Sequence, residues 1–321
     1  MSPTTVPSQG QDGVPPVGNG SYERLGETLA ILGCGHMGTA ILLGVLSALA
    51  LRSKPDSSDL LPSRFRACVR HPEAADRIRS RLPLHALDTA VTLHVNDNLA
   101  AVERADMVLL ACQPHLFEAV LGEPGLANAL QGKLVMSVLA GVTSEEIESS
   151  LERAATRRSG GAFSVVRIMP NIASAVQASS TVLEARGSNG LHAQFAATVG
   201  AIFSCVGATF TTPPETFPIC TTLNGSTPAF FAMVVDGLVD GAVALGLSRA
   251  EATRMVAATM RGTAELMLAG KDTHDLRYEV ACPGGATMQG IRVLEEARTR
   301  GVWMDAVRVT TSKQSGLRDG L

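Results

Sequence analysis

Two short stretches of this sequence carry residue types whose spacing could do chemistry. The first, GCGHMG, sets Gly33, Gly35 and Gly38 in a GxGxxG pattern, directly after the apolar run TLAIL and directly before TAILLGVLSALAL. Between a strand and a helix, Gly33 permits the tight turn, Gly35 lets the backbone approach a pyrophosphate, and Gly38 allows the helix to pack closely on the strand. The stretch reads as a dinucleotide-binding turn, with His36 and Met37 filling its remaining positions. The second stretch, ACPGGATMQG at 281–290, holds no carboxylate, lysine or histidine. Pro283 sets a turn, Gly284 and Gly285 leave the backbone bare, and Ala286 and Thr287 lead into the amphipathic run MQGIRVLEEA. What such a loop offers a ligand is mostly backbone N–H groups.

A third position bears on the choice of cofactor. The run FRACV at 65–69 is followed by Arg70 and His71. Where a dinucleotide turn prefers NAD, the tip of this second strand usually carries Asp or Glu for the ribose 2′-hydroxyl; a guanidinium suits a 2′-phosphate instead. Arg70 therefore favours NADPH, with NADH as the second candidate. The bland alternative is a solvated surface arginine beside Glu73.

These residues need elements to hold them. TLAIL, FRACV, VTLHV, DMVLLAC, KLVMSVL and SVVRIMP read as strands, with STVLEA and GATFTT as two more, and helical runs alternate with most of them. That alternation implies a doubly wound parallel sheet with helices on both faces, a Rossmann-type α/β domain. The paired prolines of TTPPETFP at 211–218 stop the pattern, and no strand run follows. The expected division is a disordered tail over 1–27, a dinucleotide-binding domain over 28–214, and an all-α domain over 215–321. The helix PAFFAMVVDGLVDGAVALGL is apolar around most of its circumference and needs burial on all sides. A domain of this size does not easily supply that alone, so a homodimer is expected, with a larger ring of such dimers as its extension.

Composition sets the outer limits. The chain has 321 residues, 45% hydrophobic and 18% charged, enough for two domains with substantial cores. A net charge of −3, without a basic run or an aromatic stacking platform, argues against a nucleic-acid partner. The six cysteines show no CxxC or Cys/His cluster, which fits reduced thiols in a cytoplasmic protein and no metal site. The tail lacks the apolar core of a signal peptide and the arginines of a transit peptide. Residues 29–51 have the length of a membrane span, but glycines and His36 interrupt them where a strand should turn into a helix, so no membrane partner is expected.

Taken with the motifs ILGCGHMGTAILLG, ADMVLLACQPH, SVLAGVTSEEIE, VVRIMPN, NGSTPAFF, DGLVDGAVALGL and CPGGATMQGIRVLEE, the chain resembles the pyrroline-5-carboxylate reductase family from about residue 28 to about 317. The resemblance implies NADPH-dependent reduction of the C=N bond of a cyclic imino acid, 1-pyrroline-5-carboxylate to L-proline. It implies a substrate carboxylate cradled by the backbone of Cys282, Gly284, Gly285, Ala286 and Thr287, with the Thr287 hydroxyl on the ring nitrogen as the catalytic contact and Asn224 in the substrate pocket. Asn98, Ala111, Gln113, Pro114, Ala140 and Asn171 would serve the cofactor, Ala140 and Gly141 near the nicotinamide. For Asn98 the alternative is a plain helix cap.

The chain also departs from the family pattern. Asn224-Gly225-Ser226-Thr227-Pro228-Ala229-Phe230 stands where Ser-Gly-Ser-Gly-Pro-Ala-Tyr is usual. Cys282 replaces a serine, Gln113 a lysine, and Ala178-Ser179 an expected Glu-Gly pair. A reductase of a modified ring, a methylated pyrroline or a piperideine carboxylate, is therefore the alternative substrate reading. A β-hydroxyacid dehydrogenase would need a helical catalytic lysine that this sequence does not place. A non-catalytic NADPH sensor is the remaining rival.

Overall fold

The computed structural model describes residues 26–51, 60–83, 86, 90–156, 163–185 and 191–314; the expected tail, up to residue 25, and Lys54 lie outside them. By internal contacts the chain forms two units, the first ending at Phe217 and the second starting at Pro218.

In the first unit every residue of Thr28–Leu32 (β1) is buried, because successive side chains point to opposite faces and both faces are covered. Leu29 and Ile31 enter one core, Ala30 and Leu32 the other. The same division holds along Met107–Leu110 (β4) and Leu134–Ser137 (β5): Met107, Leu109 and Met136 join the first core, Val108, Leu110 and Val135 the second. Each fully buried Leu, Ile or Met contributes about 1.5–3 kcal/mol, so these central strands anchor the fold.

With Arg64–Val69 (β2), Val91–Val95 (β3), Ser164–Met169 (β6), Ser179–Glu184 (β7) and Gly207–Thr212 (β8), the sheet runs β3-β2-β1-β4-β5-β6-β7-β8. One face carries the helix His36–Ala50 through Ile41, Leu42 and Val45, and the helix Leu191–Ser204 through Phe195, Val199, Ile202 and Phe203. The opposite face carries Asn98–Glu103, Leu126–Leu130 and Ser144–Ala154, the last opened by a capping box between Thr143 and Glu146. The apolar stretch that has the length of a membrane span is thus β1 and the first helix, buried against the sheet.

One join corrects the expected parallel sheet: β7 runs antiparallel to β6. A parallel return needs a crossover of a dozen or more residues. Here only Pro170–Ala178 intervene, and they are spent on a 3₁₀ turn at Ile172–Val176 that ends with Gln177 in the left-handed region. β8 then pairs parallel to β7 across the helix Leu191–Ser204. The antiparallel join is locked by charge. Arg167 on β6 donates to Glu184 on β7 at 3.0 Å, Ser144 donates to the other Glu184 oxygen at 3.0 Å, and the Arg167 guanidinium lies 4.4 Å above the Phe217 ring.

The second unit is helical throughout: Thr227–Ala244, Arg249–Leu268, Thr273–Val280, Ala286–Glu296 and Thr299–Gln314 follow one another. Just before the first of these, Thr222–Ser226 widens into a π-turn, a feature that often marks functional positions. Phe231, Met233, Leu238, Met255, Leu268, Val302 and Met304 all stand more than half exposed. Phe217–Ala244 is long and apolar enough to cross a membrane by length and composition. The described residues of this unit leave that face uncovered, as interaction surfaces are.

Candidate active site

The first site is built at the carboxyl ends of the strands, where the sheet order reverses between β1 and β4. Ligands of open α/β sheets bind at this switch point. A cleft of about 630 Å³ opens there. Its walls come from the segments after four strands: Gly33–Gly35 after β1, Arg70 and His71 after β2, Asn96 and Asn98 after β3, Ala111–Gln113 after β4.

Each glycine of the turn has its own physical requirement. Gly33 sits at φ +81°, and a Cβ there would lie 2.5 Å from the Cys112 Cα. Gly38 faces the sheet, where a Cβ would come within 2.9 Å of the Ile31 Cγ2. At Gly35 a Cβ would meet only the Gly33 carbonyl oxygen, 3.9 Å away, so the space above it is open to a ligand. Gly35 is also the N-cap of His36–Ala50, whose first backbone bond runs from the Thr39 N–H to the Gly35 carbonyl at 2.9 Å. The N–H groups ahead of that bond have no partner in the helix and make an anion site. These residues fit the pyrophosphate of a dinucleotide.

Arg70 lines the cleft at the tip of β2, as do Asn98, Ala111 and Gln113. Gly38, His36, Met37, Pro114, Ala140 and Asn171 do not line it. Gly38 is occupied in helix–strand packing, His36 is exposed, and Met37 packs on the core. Pro114 opens a 3₁₀ turn, Ala140 and Gly141 are exposed in the turn after β5, and the Asn171 side-chain Oδ1 caps the turn at 172 by accepting from the Ala173 N–H at 3.0 Å.

Asn98 is not the helix cap that its sequence position allows. Asp97 is the N-cap, accepting from the Ala100 N–H, because Asn96 at φ +50° turns the chain one residue earlier. The Asn98 amide instead donates to Glu123 at 2.6 Å, across the cleft wall. Glu123 itself escaped the sequence reading: it lies in a loop, in no motif, and only folding brings it to the cleft.

Three thiols surround the turn, and burial raises the pKa of each. Burial pushes Cys34 up to about 12 and Cys112 up to about 11, and raises Cys68 further still, with the nearby charges of Cys34, Asp97 and Glu123 adding to the effect. A raised pKa keeps each of them as the thiol, and the thiolate is the nucleophile.

The second site, in the helical unit, is the PGG loop. Gly284 adopts φ +74°, and the Gly285 N–H donates to the Cys282 carbonyl at 2.9 Å, closing a tight turn around Pro283-Gly284. Gly285 is the N-cap of Ala286–Glu296, and the first helical bond runs from the Met288 N–H to the Gly285 carbonyl at 3.2 Å. The Gly285 donor is thus used within the turn, which leaves the N–H groups of Ala286 and Thr287 for an anion. Thr287 and Cys282 are exposed. Asn224 lies in the π-turn and is only 4% exposed. Neighbouring Thr222 shares a hydroxyl hydrogen bond with Thr311 at 2.9 Å, and Gln314 donates to Ser226. Phe230, where the resemblance expects Tyr, packs 6.2 Å from the Trp303 ring.

Of the three described lysines, two are engaged and the third, Lys313, lies exposed in the last turn of Thr299–Gln314. Lys133 donates to the Val102 carbonyl at 2.6 Å and Lys271 is paired with Glu279.

A doubly wound sheet with a glycine turn at its switch point, joined to an all-helical unit, defines a two-domain nicotinamide-dependent oxidoreductase. Comparison with known proteins narrows that class. Residues 214–317 match the family model described as pyrroline-5-carboxylate reductase dimerisation, and residues 28–141 match NADP oxidoreductase coenzyme F420-dependent. The chain is 40% identical over 311 residues to a delta-1-pyrroline-5-carboxylate reductase of Curvularia clavata, covering 92% of this chain and 97% of that protein. To a pyrroline-5-carboxylate reductase of Lophium arboricola it is 42% identical over 304 residues, covering 92% and 94%. A solved pyrroline-5-carboxylate reductase from Coxiella burnetii superposes with a TM-score of 0.71 at 25% identity, over 94% of this chain and 100% of that one. The chain belongs to the pyrroline-5-carboxylate reductase family.

Proposed function

We propose that this chain reduces the C=N bond of a cyclic imino acid with NADPH, converting 1-pyrroline-5-carboxylate to L-proline. The observation that carries the reading is the turn closed by the Gly285–Cys282 hydrogen bond, which leaves the Ala286 and Thr287 N–H groups at a helix start. Those donors receive the substrate carboxylate without a cation. The Thr287 hydroxyl holds the ring nitrogen, and water supplies the proton that the nitrogen gains. The bound nicotinamide supplies the hydride. Such a reaction asks for orientation and desolvation more than for an acid–base pair, which suits a loop without charge.

Arg70 at the tip of β2 supports NADPH over NADH. The solved Plasmodium falciparum pyrroline carboxylate reductase, which shares this fold, is described with NADP bound. The exposed apolar helices of the second unit and their match to a dimerisation domain support a homodimer whose partner covers Thr227–Ala244. Cytoplasmic placement is supported by six cysteines, none of them in a disulfide.

A second substrate reading, a methylated or six-membered ring, is favoured by Phe230, which presents no hydroxyl. Steady-state NADPH oxidation across pyrroline-5-carboxylate, its methylated forms and piperideine carboxylates tests both readings. Highest kcat/KM on the plain five-membered ring supports the first, highest on a substituted or larger ring the second. No turnover on any of them removes the proposal.

A further inference from the structure

The cleft at the switch point has one feature that a polyanionic cofactor does not explain. Glu123 is the single carboxylate among the described residues lining it. A carboxylate there repels phosphate unless it faces a donor. Glu123 sits just past the helix Phe117–Leu121, on the wall that also presents Leu116, Ala119 and Val120, while Ala74 stands behind the tip of β2. That apolar lining fits the faces of a planar base. Arg70 and His71, by contrast, line the cleft at the ribose position.

The carboxylate is also oriented. Its Oε1 accepts from the Asn98 amide at 2.6 Å. This bond fixes the group and leaves Oε2 for a second donor. We infer that Glu123, held by Asn98, accepts a hydrogen bond from the exocyclic amine of the adenine and so selects adenine dinucleotides over those with a carbonyl at that position. The inference rests on the dinucleotide reading of the cleft and adds to it a residue that reads the base.

The experiment is a calorimetric titration of the intact protein, without substrate, with NADP⁺ and with its hypoxanthine counterpart, in wild type and in Glu123→Gln. The glutamine oxygen still accepts from Asn98, while its amide donates to a carbonyl. Wild type should bind the adenine form roughly ten- to hundredfold more tightly, the range of a hydrogen bond to a charged group. In Glu123→Gln that preference should collapse or invert. Thermal stability of the unliganded variant, measured alongside, shows whether it has folded; if it has not, Glu123→Met, which keeps the length without the charge, replaces it and should lose the preference. An equal preference in wild type and folded variant overturns the role of Glu123 while leaving the dinucleotide site standing. Equal weakening of both dinucleotides reduces Glu123 to an anchor for Asn98. Binding of neither dinucleotide to wild type overturns the inference together with the reading of the cleft.

Discussion

The Gly285 N–H donates to the Cys282 carbonyl at 2.9 Å, so a donor that resemblance would assign to the substrate is used inside the protein. On the proposed reading, holding the substrate then falls to the next two residues of the chain, Ala286 and Thr287. Thr287→Val removes a hydroxyl while keeping the shape, and should lower kcat/KM by about 1–3 kcal/mol in transition-state terms, with NADPH binding intact. Gly285→Ala places a Cβ 3.0 Å from the Cys282 carbonyl oxygen, tight enough to shift the turn, and should lose turnover. Kinetics normalised to folded protein separate these effects from simple instability. Undiminished kcat/KM in Thr287→Val removes that residue from the mechanism.

The nucleotide turn gives a paired contrast. Gly33→Ala combines left-handed backbone with a Cβ 2.5 Å from the Cys112 Cα, and should cost about 2–4 kcal/mol in urea unfolding. Gly35→Ala meets no such obstacle and should fold normally, yet bind dinucleotide poorly because its methyl occupies the ligand's space. If Gly35→Ala binds as wild type does, the pyrophosphate does not approach there.

Arg70→Ala tests the choice of cofactor. Losing a charge-assisted hydrogen bond worth roughly 1.5–3 kcal/mol should weaken NADPH about tenfold or more and leave NADH nearly unchanged. Equal losses for both, by fluorescence titration, would show that Arg70 does not read the 2′-phosphate.

Arg167 and Glu184 hold the antiparallel join, 13% and 3% exposed in their side chains. Arg167→Met strands a buried carboxylate and should cost about 3–5 kcal/mol in urea unfolding. Arg167→Met with Glu184→Leu removes both charges and should recover much of that loss. A double variant no better than the single one would count against the ion pair as the cause.

His94 gives stability a dependence on pH. Burial first, then the Arg66 charge 3.3 Å from its ring, lowers its pKa below the ordinary 6.5, against a weaker opposing pull from Asp97; Arg104 adds to the lowering. A base whose folded pKa is lowered contributes stability that is present above the unfolded value and is lost as pH falls through the folded one. Unfolding midpoints followed downward from pH 7 should therefore fall more steeply for wild type than for His94→Asn. Parallel curves would mean that His94 does not contribute.

Much of the first unit was legible in the residues themselves. A strand with both faces buried must be apolar throughout, so β1, β4 and β5 announce themselves, and Gly33, Gly35 and Gly38 do so because backbone geometry tolerates nothing larger there. The helical second unit followed from runs too apolar to be anything else. Tertiary structure alone decided the rest. Whether β7 runs with or against β6 depends on the length of the intervening chain once it coils into a 3₁₀ turn, not on the alternation of strand and helix. Which residue caps the helix at 98 depends on Asn96 turning left-handed. Glu123 reached the cleft, and the Gly285 donor was withdrawn from the loop, through hydrogen bonds whose partners are set by position in space, and residue types and spacing along the chain do not encode that position directly.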